Sequence, residues 1–415
     1  MGKYNPFNPN SVVVPTLFAG RASQVNEICK KLTQLKHGMP ASYFVYGERG
    51  IGKTALVKLI RYVASLNEDK LHELNLITSY YSAEQGQEIS SILQESLNKL
   101  TDEMDSALVA KIGSRLGEIF KNGKFEIGAF GTSLAIDTTE SKLKREITVK
   151  DQTVSILSNI IKSISSGEGK KKDGILIVID EIHNVGNLAT AASIIRNIVT
   201  TLDVENLGKV SFIIIGYEED VSKFFSQDSS AKRMFDFIPL DVMPDGDAMD
   251  ILKKGFEAAG VKFDEAALRE NISMAGGYPH SIQILGYHLI ETDTDGQVDQ
   301  KDWDRAAIDA MFTLRSKEFA AMYSFGKPLT VKDEILSLLA KENRPLLKKE
   351  IADQLKKKNI YQYIPVLKKI GAIRGDADKK LQLQSQLLRT AILFDQFIRK
   401  NEIISPSTIP HGDLE

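Results

Sequence analysis

The sequence predicts an α/β fold: a P-loop parallel-sheet core, then an all-α region, then a winged helix. Three observations point there. A glycine-rich phosphate loop at 47–54 stands between an apolar strand and an apolar-periodic helix. Aliphatic runs then alternate with helical patterns as far as residue 243, as in a parallel sheet covered by helices. Beyond Pro244 the periodicity is helical only, and from 329 three helices precede two short strands.

The elements follow in chain order. Residues 1–17 are rich in Pro and Asn and read as extended, and a helix covers about 22–37. Strand Tyr43-Phe44-Val45-Tyr46 enters the loop, and Ala55-Leu56-Val57-Lys58-Leu59-Ile60 leaves it as a helix. A strand at about 74–82 is followed by helices at about 86–100 and 102–121. Short apolar runs at 124–127 and 132–136 predict a hairpin inserted over 123–147, before an amphipathic helix at about 149–165. The run Ile175-Leu176-Ile177-Val178-Ile179 is continuously aliphatic, as a strand buried on both faces requires. A helix at about 189–202 and a buried strand at 210–215 extend the alternation. Helices at about 247–259, 264–274, 279–291 and 302–322 make up the all-α region. The expected domains are therefore a nucleotide-binding core at 1–243, a helical region at 244–326, a winged helix at 327–398 and a mobile tail at 399–415.

Composition narrows the function classes. The chain has 415 residues, 42% hydrophobic and 26% charged, with a net charge of −2. No global field draws it to nucleic acid or membrane, so any such contact needs a local patch. A single cysteine, Cys29, excludes an internal disulfide, and its helix face with Val25 and Leu32 places it in the core. The histidines have no metal-ligand spacing, and no apolar run approaches membrane-spanning length. The opening residues carry no apolar signal segment, and Pro6 stands where a myristoylation site needs Ser or Thr. The expected location is the cytoplasm.

The loop reads Gly47-Glu48-Arg49-Gly50-Ile51-Gly52-Lys53-Thr54, followed by Ala55. Glycines let successive N–H groups curl around phosphate oxygens, and the helix N-terminus adds partial positive charge. Lys53 is placed to reach the β- and γ-phosphates, and Thr54 to ligate Mg²⁺. A second motif ends the aliphatic strand. Asp180 is the candidate metal ligand, and Glu181 the candidate general base toward the attacking water. His183-Asn184 follow and are candidates for orienting the site or for a plain loop.

Four segments in order, Phe18-Ala19-Gly20-Arg21, the loop, the strand with Asp180-Glu181, and Gly276-Gly277-Tyr278-Pro279, resemble AAA+ ATPases. The likeness is to their archaeal-type and STAND-like branch, related to origin-recognition initiators, and covers roughly 5–398. It implies a five-stranded parallel sheet, a helical lid and a C-terminal winged helix. It also implies ATP as the nucleotide, with Phe18, Gly20 and Arg21 at the adenine. Arg233, before Ile238-Pro239-Leu240, is the implied finger that reaches a neighbour's γ-phosphate, which implies a homo-oligomer dependent on ATP. Two positions depart from the pattern. A polar sensor is expected near Gly216 or Tyr217, and an arginine where His280 stands. Tyr278-Pro279 instead resembles the switch proline of STAND proteins, with Pro279 at the nucleotide. These departures favour slow hydrolysis.

Between Lys341 and Ile370 nine basic residues face three acids, a local surplus of six. Lys348, Lys349, Lys356, Lys357 and Lys358 lead to Tyr361 and Gln362, where a recognition helix meets the major groove, and Lys379 flanks the wing. DNA is the expected ligand of this face, with a protein-binding module as the alternative. Pro365 is expected to kink or shorten the helix. Three readings of the whole chain stay open. It is a DNA-associated ATPase of the loader or target-selector kind, a STAND-like switch with a separate effector protein, or a nucleotide-gated transcription regulator.

Overall fold

The computed structural model describes residues 4–11, 20–65, 74–102, 104, 109, 142–165, 172–314, 319–375 and 380–401. The chain divides into two compact units, one comprising Arg21–Arg49 and Lys53–Leu240, the other Met1–Gly20, Gly50–Gly52 and Asp241–Glu415.

In the first unit α1 (Ala22–Leu32) precedes β1 (Ser42–Gly47) and α2 (Lys53–Ser65). Then come β2 (Leu76–Ser82), α3 (Ile89–Asp102) and α4 (Lys142–Ser165). They are followed by β3 (Gly174–Asp180), α5 (Leu188–Val204) and β4 (Val210–Gly216), and then by α6 (Glu218–Phe224) and β5 (Phe235–Leu240). The five strands form one sheet in the order β2-β3-β4-β1-β5, with every pairing parallel. Every residue of β3 and β4 is buried, which is why both runs are aliphatic without alternation. Register sets the site's position. Tyr46 pairs with Gly216, and Ile179 with Ile214, so β1, β3 and β4 present their carboxyl ends along one edge. That edge is where open α/β sheets bind ligands. Cys29 is buried in α1, as expected.

Some expectations shift. Helix α4 begins at Lys142, so 142–147 is helical rather than part of a hairpin. The reason lies in Lys142-Leu143-Lys144-Arg145-Glu146, all strong helix formers. The expected strands at 124–127 and 132–136 lie outside the described residues, as does most of the expected helix at 102–121. Strand β5 contains Pro239, which masks it in sequence, but β5 is a sheet edge where a missing N–H is tolerated.

The second unit opens its main segment with α7 (Asp245–Ala259), β6 (Lys262–Phe263) and α8 (Glu265–Asn271). Next are α9 (Pro279–Thr292), β7 (Gln297–Val298) and α10 (Gln300–Leu314). Residues 320–322 are turn, so the helix expected to reach 322 stops short. After this helical lid come α11 (Val331–Glu342), α12 (Lys348–Leu355), a 3₁₀ turn (Lys358–Gln362) and α13 (Ile364–Lys369). The antiparallel pair β8 (Ile373–Gly375) and β9 (Leu381–Leu383) completes a winged helix, and α14 (Gln386–Lys400) follows. Pro365 falls in the first turn of α13, so it starts the helix instead of kinking it. Arg399 and Lys400 belong to α14, not to a mobile tail, because Phe394 and Ile398 bury its inner face. The rest of the expected tail, and Asp376-Ala377-Asp378 at the wing tip, lie outside the described residues. One apolar core runs through the unit, from Met243 through Phe256 and Trp303 to Phe394 and Ile398.

Candidate nucleotide-binding site

Strand β1 ends at Gly47 and α2 starts at Lys53, so the intervening loop leads directly onto a helix N-terminus. Gly50 and Gly52 have φ of 80° and 95°, which only glycine adopts without strain. Lys53 Nζ donates to the carbonyls of Gly47 and Glu48, each at 2.9 Å. It also lies 4.6 Å from the ring centre of Tyr217. Burial holds the Lys53 ammonium below its usual range, opposed by the carboxylates of Glu181 and Asp180.

Asp180 is the hub of the edge. It is 2% exposed. Its Oδ2 accepts from Thr54 Oγ1 at 2.7 Å and from Tyr80 Oη at 2.6 Å. Its Oδ1 accepts from the N–H of Glu181 at 2.8 Å. Burial, then the Asp180 charge, push the Tyr80 hydroxyl up. The adjacent carboxylate differs in every respect. Glu181 has a left-handed backbone, φ 54° and ψ 42°, which swings its side chain away from that of Asp180. Its side chain is 43% exposed, and Oε2 lies 3.2 Å from His183 Nε2. One carboxylate is buried and bonded in place, and the other is partly exposed beside His183.

The donor set fits a small hard cation. Thr54 hydroxyl and Asp180 carboxylate, already in contact, are two oxygen ligands beside the phosphate loop. Among the described residues no group of three or more His, Cys, Asp or Glu gathers to hold a metal. Two protein oxygens would suit Mg²⁺, which usually keeps several waters and is completed by substrate phosphates.

Position 216, expected to carry a polar sensor, carries none for a steric reason. A Cβ on Gly216 would stand 2.7 Å from Ile182 Cγ2 and 2.9 Å from Asp220 Oδ2. Asp220, buried on α6, occupies that space and accepts from the N–H of Tyr217 at 2.7 Å. Tyr80 and Asp220 escape sequence reasoning, and Tyr217 enters it only as a place where the polar sensor is missing, because only the sheet order and the turn after β4 bring all three to this edge.

The other candidate residues are distributed as follows. Glu48 and Arg49 lie within the loop, with Arg49 exposed, and Ala55 follows it on α2. Arg21 is buried, with φ 60°, at the start of α1, and Phe18 lies outside the described residues. In the second unit Gly20 has φ 73°, and Ile51 is buried. There a Cβ on Gly50 would meet Tyr278 Oη at 2.9 Å and His280 Cβ at 3.5 Å. One on Gly52 would meet Pro279 Cγ at 3.8 Å. Arg233 is exposed in a 3₁₀ turn (Ala231–Met234). On the winged helix Lys348, Lys349, Lys356, Lys358, Tyr361 and Gln362 are exposed. Lys357 is instead engaged by Glu334, and Lys379 lies outside the described residues. No helix among the described residues is long and apolar enough to cross a membrane.

The family model described as an ATPase domain predominantly from Archaea matches residues 18–285. No curated protein matches the chain. Among solved structures, a Walker-type ATPase of Pyrococcus abyssi is similar at 12% identity and a TM-score of 0.46, over 90% of this chain and 96% of that one. The Aeropyrum pernix ORC2 protein in its ADP form is similar at 13% identity and a TM-score of 0.49, over 96% and 98%. The Holliday junction branch migration motor RuvB of Thermotoga maritima is similar at 12% and 0.40, over 93% and 95%. With a phosphate loop and an acidic strand end joined on a five-stranded parallel sheet, and a family match over more than half its length, the chain belongs to the archaeal-type family of AAA+ P-loop ATPase domains.

Proposed function

We propose that the protein binds ATP with Mg²⁺ at the loop 47–54 and hydrolyses it, and that the bound nucleotide sets self-assembly and engagement of DNA. The observation that carries the reading is the contact of Thr54 with Asp180, next in sequence to Lys53 and to a separate, partly exposed Glu181. Loop N–H groups and Lys53 hold the β- and γ-phosphates. Thr54 and Asp180 hold the cation, which when bound neutralises charge on the phosphate oxygens. Glu181 takes the proton of the attacking water. Phe18, Gly20 and Arg21 receive the adenine, and Pro279 and His280 serve as the lid's contribution. Arg233, exposed and without an ion pair among the described residues, acts on a neighbouring copy's nucleotide. Residues 244–326 serve as the lid and 327–398 as the winged helix.

The exposed lysines of α12 and the following turn, with Tyr361 and Gln362, form the DNA face. Neutralising about four to six phosphates there gives a log–log salt slope of about −4 to −5. The test is a nucleotide titration followed by mass measurement. Lys53→Ala should lose ATP binding. The parent should assemble with ATP, more so with DNA present, and stay smaller with ADP. ATP binding by Lys53→Ala equal to the parent's overturns the site. Binding that is absent at low salt overturns the DNA face.

One observation favours a slower, switch-like variant of this reading. Packing of Ile182 and Asp220 leaves Gly216 without any polar group of its own. Assembly that follows nucleotide but ignores DNA, with turnover far below the roughly 1–100 s⁻¹ typical of kinases, would select it.

A further inference from the structure

We propose that His183 and Asp220 form a positioning relay for Glu181. The inference rests on Glu181 being the general base. Three side chains from two segments line up behind the exposed carboxylate. His183, in the 3₁₀ turn Ile182–Asn184, brings Nε2 within 3.2 Å of Glu181 Oε2. Its other nitrogen, Nδ1, is buried, has no hydrogen-bond partner and points toward Asp220 Oδ2 at 4.0 Å. Asp220 is fixed by the Tyr217 N–H and by the tight turn after β4. The His183 ring lies against Tyr217, with centroids 4.6 Å apart and planes tilted by 39°. Tyr217 in turn carries Lys53 Nζ over its ring.

The chemistry follows from this order. A general base must lie within hydrogen-bond reach of the proton it takes, and anchoring one carboxylate oxygen helps hold the other toward water. Glu181 sits on a left-handed backbone and is only half covered, so its side chain has freedom to lose. His183 is the polar side chain placed to anchor it, and Asp220 is the group placed to orient His183 through Nδ1, as carboxylates orient imidazoles in other sites. The relay is one bond short in this structure. A movement of about 1 Å brings Nδ1 and Asp220 to hydrogen-bond distance. Because Tyr217 touches both the His183 ring and Lys53, a phosphate that draws Lys53 off the loop carbonyls changes the packing on His183. His183 and Asp220 are therefore positioning residues that act through Glu181.

The test uses the full chain with ATP and Mg²⁺, reading ATP affinity, single-turnover rate and thermal melting. His183→Ala should lower the rate about 10-fold with ATP affinity within about twofold and melting unchanged. His183→Gln, which restores an amide at the Nε2 position, should recover part of that loss. Asp220→Asn, which keeps the acceptor for Tyr217, should fall between the two. In a Glu181→Gln background His183→Ala should cost less than about twofold, since a positioning residue loses its effect when its target is gone. A parent-like rate for His183→Ala while Glu181→Gln is impaired overturns the relay alone. So does a loss of the same size in both backgrounds. A parent-like rate for Glu181→Gln overturns the base assignment, and the relay with it.

Discussion

Asp180 accepts three hydrogen bonds, and each donor comes from a different element: Thr54 from α2, Tyr80 from β2, and the Glu181 N–H from its own strand end. A carboxylate so held keeps one orientation, which suits a metal ligand. Tyr80→Phe should therefore raise the Mg²⁺ concentration for half-maximal turnover about 10-fold, by a metal titration of the ATPase rate, with ATP affinity little changed. Asp180→Asn should abolish Mg²⁺-dependent turnover. The acidic pair itself was legible in the sequence, because Asp180-Glu181 terminates an aliphatic run behind a complete phosphate loop. Tyr80 was not, because its position depends on β2 pairing with β3 across a long intervening segment. The divergence of Glu181 from Asp180 was also hidden, since a left-handed backbone at a non-glycine residue has no signature in sequence.

At the scale of elements, glycines carry information that composition hides. Gly216→Ala should destabilise the first unit by about 1–3 kcal/mol, because its Cβ would press on Ile182 and Asp220, and denaturant unfolding checks it. Gly255 on α7 and Gly286 on α9 each weaken a helix by roughly 1 kcal/mol relative to alanine. Their reason is Phe7, whose ring fills the hollow they leave. A Cβ on Gly255 would stand 1.9 Å from Phe7 Cζ, and one on Gly286 2.6 Å from Cδ1. Asn5 Nδ2 donates to Tyr287 O at 3.0 Å and pins the same segment. Phe7→Ala should cost the second unit about 3–5 kcal/mol, and Gly255→Ala should expel the ring and loosen residues 4–11 in hydrogen exchange. The opening segment reads as a featureless extended stretch because its anchor lies on helices far along the chain. The strand runs and the long lid helices were legible by periodicity. Strand β5 was masked by Pro239, and the small pair β6–β7 is too short to leave a pattern.

At the scale of the whole molecule, the net charge of −2 conceals a basic face on the winged helix. Replacing Lys348, Lys349, Lys356 and Lys358 by Glu should remove DNA binding at low salt while leaving ATP turnover without DNA intact, by fluorescence anisotropy and a parallel ATPase assay. Lys357 should matter less, since Glu334 already engages it. Arg233→Ala should keep ATP affinity and lose the concentration-dependent part of the ATPase rate, as a group acting between copies requires.

The most direct test of the account is the ATPase rate of the parent and of Glu181→Gln, measured with and without Mg²⁺ alongside the nucleotide each retains. The account predicts turnover by the parent only with Mg²⁺. For Glu181→Gln it predicts undiminished ATP binding, turnover lowered at least about 100-fold, and ATP recovered intact from the protein. Hydrolysis by Glu181→Gln at the parent's rate, or hydrolysis by the parent that persists when Mg²⁺ is chelated, would contradict it.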